Sequence, residues 1–300
     1  MTRTRVLISR RTVIAGALAA PLAAPLAGCA TAPAGGGDFA AVEARLGGRL
    51  GVFAHDLETG RSFARRADER FAMCSTFKWA LAGLILRARD EAALSLDDPA
   101  PYGCDDLVSY SPVTEPALGE GRAMTIGEVC NAAVTLSDNT AANLLLARIG
   151  GPQGFTGRLR TLGDDVTRLD RWETALNENL PGDPRDTTTP RAMTALLQRF
   201  IAGDALNDLS RKQLADWMIA AKTGGARLRA GLPPGWVVGD KTGTSGNGAN
   251  NDVAFALPHG EDDRAPILIA SYINAPDADS AAANAAHADV ARLVVEQFIR

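Results

Sequence analysis

The sequence predicts an α+β fold: an antiparallel sheet flanked by terminal helices, with an all-helical lobe inserted into it. Three observations carry this. Runs of β character cluster near residues 49–67 and return at 236–274. Helical periodicity fills the interval between them, and an amphipathic helix stands at each end of the body. Three hundred residues, 46% hydrophobic and 22% charged, suit one large domain or two interleaved lobes.

Asp38 suits the N-cap of a short helix, Phe39 to Leu46, with Phe39, Val42 and Leu46 on one side. Arg49 to Leu57 alternates and reads as a strand. Glu58-Thr59-Gly60-Arg61 is turn chemistry, and Ser62 to Ala67 returns as its hairpin partner. Met73 to Trp79 reads as the first turn of a helix that runs to about Asp90. Thr125-Ile126-Gly127-Glu128 has capping-box spacing and opens a helix to Leu136, with Ile126, Val129, Ala133 and Leu136 inward. Asn139 to Ile149 is helical and ends at Gly150-Gly151-Pro152; Gln153 to Leu162 follows. Asp164 to Thr188 is long and irregular, and a loop of that length in a compact body is usually functional. Thr189-Pro190 starts another helix, and Arg211 to Ala221 the next. Strands return at Trp236 to Thr244, Asn251 to Leu257 and Pro266 to Asn274. Ser280 to Arg300 closes the chain as an Ala-rich helix with Val290, Leu293, Val294 and Phe298 on its apolar face.

Residues 1–28 read as an export signal. Arg3, Arg5, Arg10 and Arg11 precede an apolar stretch from Val13 to Ala27. Ser9-Arg10-Arg11-Thr12-Val13 resembles a twin-arginine signal, which implies export after folding. Leu26-Ala27-Gly28-Cys29 resembles a bacterial lipobox, which would make Cys29 a lipidated first residue and a membrane anchor; cleavage near Ala32 or Ala34 is the alternative. Residues 29–38 are small and flexible, as a tether should be. A spanning helix is disfavoured by the short apolar run and by Pro21 and Pro25. Beyond the tether, 39–71 with 220–300 are expected to form an α/β domain and 72–219 a helical one.

The 31 basic residues face 35 acidic ones, and loss of the four signal arginines moves the balance from −4 to −8. An acidic body without a basic patch argues against nucleic acid as a partner. His55, His259 and His287 are too far apart for metal-ligand spacing or an easy Ser-His-Asp triad. No metal and no cofactor are expected, and a monomer is. Apart from Cys29, Cys74, Cys104 and Cys130 are odd in number and lack Cys-x-x-Cys spacing.

Four motifs carry chemistry. Ser75 and Lys78 are three apart, so they share one face of a helix start, with backbone N–H groups and the positive dipole end beside the hydroxyl. A Lys one turn on activates a Ser nucleophile when its pKa is lowered. Alone, Ser-x-x-Lys is common and suits a plain N-cap. Ser137-Asp138-Asn139 lies at a helix junction; its Ser can relay a proton and its Asn amide can bind a carbonyl, or the triplet is an ordinary cap. Lys241-Thr242-Gly243-Thr244 ends a strand and can bind an anion beside a backbone that a ligand approaches closely. Glu173 and Asn177, four apart in the long loop, can face one water as base and holder; a loop-stabilising Arg171–Asp186 pair is the bland counterpart.

Together and in this order, with Phe71-Ala72-Met73-Cys74-Ser75-Thr76-Phe77-Lys78, Tyr110-Ser111-Pro112-Val113-Thr114-Glu115 and Leu136 to Leu146, these motifs resemble the class A serine β-lactamases over about Phe39 to the C-terminus. The resemblance implies a three-layer α/β/α sandwich forming one catalytic unit over 39–300. It implies hydrolysis of the β-lactam ring of penicillins and cephalosporins through a serine acyl-enzyme. Ser75 would attack, with the oxyanion held by the backbone N–H groups of Ser75 and Thr244. Glu173 with Asn177 would position the deacylating water, and either Lys78 or Glu173 would take the acylation proton. Ser137, helped by Lys241, would protonate the lactam nitrogen. Asn139 would bind the substrate amide, and Thr242, Gly243 and Thr244 its carboxylate end. Tyr110 would form a wall.

Four departures bear on this. Many relatives place an Arg after Lys-Thr-Gly to meet the carboxylate, but none stands in Asn247-Gly248-Ala249-Asn250-Asn251; Arg227 in Gly225-Ala226-Arg227-Leu228-Arg229 matches relatives that use an Arg from the preceding segment and is the candidate, with Arg229 its rival. Thr174 stands where relatives often have Pro after a cis peptide, which leaves that bond's geometry open. Cys74 lacks the partner that carbapenem-hydrolysing relatives carry, since Ser245 occupies that position. Cys130 faces Ala82 where many penicillinases have the second cysteine, so free thiols are expected. Among rivals, a penicillin-binding DD-peptidase lacks the loop Glu and stays acylated. A non-catalytic β-lactam sensor needs a transducing domain, and a serine glutaminase lacks this loop.

Overall fold

The computed structural model describes residues 37–259 and 264–299. The export signal, Cys29 and the tether up to residue 36 lie outside the described residues. In chain order the strands are β1 (Arg49–Asp56), β2 (Ser62–Arg65), β3 (Phe71–Ala72), β4 (Thr187–Thr188), β5 (Val237–Thr244), β6 (Ala249–Leu257) and β7 (Ile267–Asn274). Five of them form one antiparallel sheet in the order β2-β1-β7-β6-β5, and β3 pairs with β4. The termini therefore meet in the middle of the sheet: β1 runs against β7 with Arg49 opposite Asn274 and Asp56 opposite Ile267.

The apolar run of β7 is continuous because both faces of the sheet are covered. Ile267, Ile269 and Ile273 face one side, with Ala254 and Ala256 of β6. There they meet α1 (Gly37–Leu46), α9 (Leu228–Gly231) and α10 (Ser280–Phe298) through Phe39, Leu228, Val290, Val294 and Phe298. Leu268, Ala270, Tyr272, Val253 and Phe255 face the other side and join the core of the helical lobe. That lobe holds α2 (Phe77–Asp90), α3 (Thr114–Gly119), α4 (Ile126–Thr135), α5 (Asn139–Arg148), α6 (Gly151–Thr161), α7 (Pro190–Ile201) and α8 (Asp208–Ile219). The result is a three-layer α/β/α sandwich.

From Trp79 to Leu86 α2 is apolar all round because other elements enclose it. Phe77 meets Phe155 edge-on at 5.8 Å, and Trp79 meets Phe200 at 5.7 Å; such pairs contribute about 0.5–1.5 kcal/mol beyond their burial. Gly83 is required here, since a Cβ would come within 2.7 Å of the Phe200 ring.

Several sequence expectations need correcting. The first helix begins at Gly37, two residues before the expected Phe39, so Asp38 lies inside it. Ser75 stands on a separate 3₁₀ turn, Cys74–Thr76, and the α-helix starts only at Phe77. Asn207 caps α8 through Ser210 N–H at 2.8 Å, so that helix starts three residues before the expected Arg211. Leu136 is only half-buried. α3, α9 and the short β3–β4 ladder were not anticipated, because elements of two to six residues carry too few positions to show a period.

Candidate active site

The Ser75 turn is wedged against the end of β5. Gly243 makes this possible, since a Cβ there would lie 2.6 Å from Met73 O and 3.1 Å from Ser75 N. Asn251 Nδ2 donates to Ala72 O at 2.9 Å and Met73 O at 3.2 Å. Thr76 Oγ1 donates to Met73 O at 2.8 Å and sits 3.1 Å from Tyr272 OH. The turn is thus held from behind while Ser75 itself stays half-exposed.

Lys78, one turn on, is fully buried. Its Nζ pairs with Glu173 Oε1 at 2.9 Å, and donates to Ser137 O at 2.8 Å and Asn139 Oδ1 at 2.5 Å. Burial pushes the Lys78 pKa down, and the Glu173 charge opposes that push. Ser75 Oγ lies 3.5 Å from the same Glu173 oxygen. The other carboxylate oxygen accepts from Asn177 Nδ2 at 2.6 Å, across the 3₁₀ turn Ala175–Asn177. The Glu173–Thr174 peptide bond is cis. Asn143 clamps the Glu173 backbone on both sides: it accepts from Glu173 N and donates to Glu173 O, each at 3.0 Å. Sequence reading missed Asn143; its signal was its place one turn after Asn139 on α5. The Arg171–Asp186 pair is also present, with Arg171 Nε donating to Asp186 Oδ2 at 2.6 Å. The loop thus carries both pairs, Arg171–Asp186 and Glu173–Asn177.

Ser137 sits at the α4–α5 junction with φ of 61°. Its Oγ accepts from Lys241 Nζ at 3.0 Å and lies 3.5 Å from Lys78 Nζ. Lys241 also donates to Thr242 O at 2.9 Å. Burial first, then the Lys78 charge, draws the Lys241 pKa down to about 7. Asp138 is the cap of α5: it accepts from Ala141 N, Val113 N, Thr114 N and Thr114 Oγ1. The middle of the triplet therefore builds the junction that presents its two neighbours. Asn139 spans Lys78 and Ser109 O, to which it donates at 2.8 Å, while its N–H donates to Tyr110 O at 3.0 Å. The Tyr110 side chain is 59% exposed.

The two candidate arginines part company. Arg227 Nη2 donates to Thr244 Oγ1 at 2.7 Å, and its Nη1 to Gly243 O at 3.1 Å and Asn251 O at 2.7 Å. Its Nε donates to Asn284 Oδ1 at 3.1 Å. Asn284 left no trace in the sequence pattern of an Ala-rich helix. Arg229 turns to Asp240 and to Met218 O and Ile219 O. Thr242 Oγ1 lies 2.6 Å from Thr223 Oγ1. Cys74, Cys104 and Cys130 are free thiols, and burial pushes the Cys74 pKa up to about 12. Cys74 is therefore a thiol that packs and not a second nucleophile.

The arrangement offers a half-exposed hydroxyl, a carboxylate within reach of it, and two buried ammonium groups bracketing a second hydroxyl. A family model described as "Beta-lactamase enzyme family" matches residues 38–298. The chain is 50% identical over 258 residues to "Beta-lactamase FAR-1" of Nocardia farcinica (strain IFM 10152), covering 86% of this chain and 81% of that one. It is 47% identical over 259 residues to "Carbapenem-hydrolyzing beta-lactamase KPC" of Klebsiella oxytoca, covering 86% and 87%. A solved structure of an ancestral (GNCA) class A β-lactamase is 56% identical, with a TM-score of 0.83 over 86% of this chain and 98% of that one.

Proposed function

The chain belongs to the class A β-lactamases and hydrolyses the β-lactam ring, and on that premise we propose how its residues divide the reaction. The observation that carries the division is the single carboxylate, Glu173, facing both Ser75 and Lys78. Ser75 Oγ attacks the lactam carbonyl and gives its proton to Glu173; their 3.5 Å spacing is typical of a free enzyme whose contacts tighten on substrate. Lys78 keeps Glu173 ionised and oriented. The oxyanion rests on the N–H groups of Ser75 and Thr244, each such donor supporting about 3–4 kcal/mol of barrier reduction. Ser137 passes its proton to the leaving lactam nitrogen and is resupplied from the lysines that bracket it; Lys78 then recovers the proton held by Glu173, which leaves the carboxylate ionised again. Glu173, with Asn177, then activates the water that cleaves the acyl-enzyme.

Substrate binding is assigned to the other half of the site. Lys241, Thr242 and Thr244 meet the substrate carboxylate, with Arg227 behind Thr244; Arg229 is spent on Asp240 and is set aside. Gly243 leaves room for the close approach, Asn139 binds the side-chain amide, and Tyr110 supplies the wall. We assign penicillins and cephalosporins as substrates. The DD-peptidase reading is not favoured, because it has no use for a Glu173 held this way. We propose an exported monomer in the cell envelope, with Tat export and lipidation of Cys29 resting on their sequence signals. We further propose that 39–71 with 220–300, and 72–219, act as the two domains of the unit.

Intact-protein mass after mixing with benzylpenicillin tests this. One drug molecule adds transiently to wild type and vanishes as drug is consumed; Glu173→Ala, which lacks the acylation base, gains the adduct more slowly and then keeps it. A persistent adduct on wild type removes the deacylating role of Glu173, and no adduct with either protein removes that of Ser75.

A further inference from the structure

Two buried carboxylates lie one sheet thickness from Lys241, on the face covered by α9 and α10. In the register of β5 against β6, Asp240 is opposite Ala254 and Thr242 is opposite Asp252. Asp240 and Asp252 are therefore diagonal neighbours on one face. Each uses one oxygen conventionally: Asp240 Oδ1 accepts from Arg229 Nε, and Asp252 Oδ2 accepts from Leu228 N at 3.1 Å. The remaining oxygens, Asp240 Oδ2 and Asp252 Oδ1, are buried and have no donor among the described residues. The Gly224 backbone closes this space, since a Cβ there would sit 1.7 Å from Asp240 Oδ2. Two facing ionised carboxylates would leave two unpaired buried acceptors and a repulsion; one proton between them satisfies both atoms.

We propose that Asp240 and Asp252 share one proton at neutral pH and that this pair positions the substrate-carboxylate end of the site. Asp240 precedes Lys241 in β5. Asp252 holds the first N–H of α9, directly after Arg227. The shared proton closes a chain from Arg229 through both carboxyls to Leu228, tying the two cations to one frame. The charged groups that act on the pair are Arg229 and Arg227 from the α9 side and, from the opposite face of β5, Lys241; Arg227 in turn interacts with His287 of α10 and Cys74, and Lys241 with Lys78. Burial and mutual repulsion push the Asp252 carboxyl far above the usual range. With one negative charge instead of two beside it, Lys241 stays easier to deprotonate. The positional part of this inference rests on the reading of Lys241 and Arg227 given above; the proton does not.

Infrared difference spectra of the full protein at pH 7, in H₂O and D₂O, test the proton. A protonated-carboxyl C=O band is expected in wild type and lost in both Asp252→Asn and Asp240→Asn. Its absence from wild type, or its survival in both variants, overturns the proposal. Thermal stability supplies an opposite-sign check that needs no activity. A carboxyl whose folded pKa is raised keeps its proton while the unfolded chain releases it, so wild-type stability falls as pH rises above the unfolded value. The melting temperature of Asp252→Asn minus that of wild type should therefore grow from pH 4 to pH 8. A difference that shrinks means an ionised, ion-paired Asp252. The alkaline limb of kcat/KM should lie at the same pH in Asp252→Asn, because both forms carry one negative charge. A limb displaced to lower pH means that wild type carries two.

Discussion

Ser75 and Glu173 reach the same site from opposite kinds of structure. The Ser75 turn is backed by apolar packing: Met73, Phe77 and Trp79 are fully buried in the largest core, and Phe77 and Trp79 each meet another ring edge-on. The segment that carries Glu173, residues 164–188, has few regular backbone contacts beyond the short β4 and one 3₁₀ turn. It is held by a dense set of charge pairs and hydrogen bonds, with Leu169 and Leu176 as its apolar anchors in the core. Arg168 pairs with Asp170, Arg171 with Asp186 and Glu178, and Arg185 with Asp183. Asp186 Oδ1 also accepts from Asp170 N at 2.7 Å and Arg171 N at 3.0 Å. Apolar packing is non-directional and is shared among many neighbours, whereas each polar bond in the loop holds one atom in one direction. A nucleophile placed by the core is coupled to global stability. A base placed by a polar network can be misaligned without unfolding the protein.

Phe77→Ala should show the first half of this contrast most strongly. A ring fully buried against Phe155 typically costs about 3–5 kcal/mol when deleted. Chemical denaturation should show that loss, while the ratio of deacylation to acylation rates at low temperature stays as in wild type. Selective loss of deacylation in Phe77→Ala would break the contrast. Asp186→Asn should do the reverse at smaller cost. It weakens the Arg171 pair and two backbone hydrogen bonds, worth about 1–3 kcal/mol locally. Pre-steady-state kinetics should then show acylation and deacylation both slowed several-fold, with the unfolding midpoint little changed. The smallest effect is one of pH. Arg185 draws the Asp183 carboxyl down to about 2, and Arg168 holds Asp170 below its usual range. A depressed carboxylate contributes stability that is present above the unfolded value, near 3.8, and is lost as pH falls toward the folded one. Pepsin digestion between pH 4 and pH 2 should therefore cut first within 164–188. First cuts inside α2 would show that the core, not the loop network, yields to acid.

The contrast also marks where sequence reading succeeded. The α2 region was readable because its contacts repeat along the chain, and one turn of spacing places Lys78 beside Ser75 whatever lies around them. Thr125 with Glu128 and Thr189 with Pro190 announced helix starts for the same reason, since a cap is a local bond. In the loop, Glu173 and Asn177 could be paired from four-residue spacing. Asn143, which clamps the Glu173 backbone from thirty residues away, could not. The 3₁₀ turn at Ser75 escaped too, because the close approach of β5 shapes it and no propensity within Met73–Trp79 requires it.

By itself the sequence determined what is local: the strand and helix periods, the caps at Thr125 and Thr189, the Ser75–Lys78 and Glu173–Asn177 spacings, and the acidic balance of charge. Tertiary structure alone decided which distant groups meet. Lys241 Nζ reaches Ser137 Oγ across 104 residues, and Arg227 rather than Arg229 reaches Thr244. Asp240 faces Asp252 because β5 and β6 pair in one register and not the next. A one-residue slip would turn every one of those side chains to the other face of the sheet. That register is set by how both faces bury their apolar residues at once, a sum over the whole core that no short stretch of chain contains.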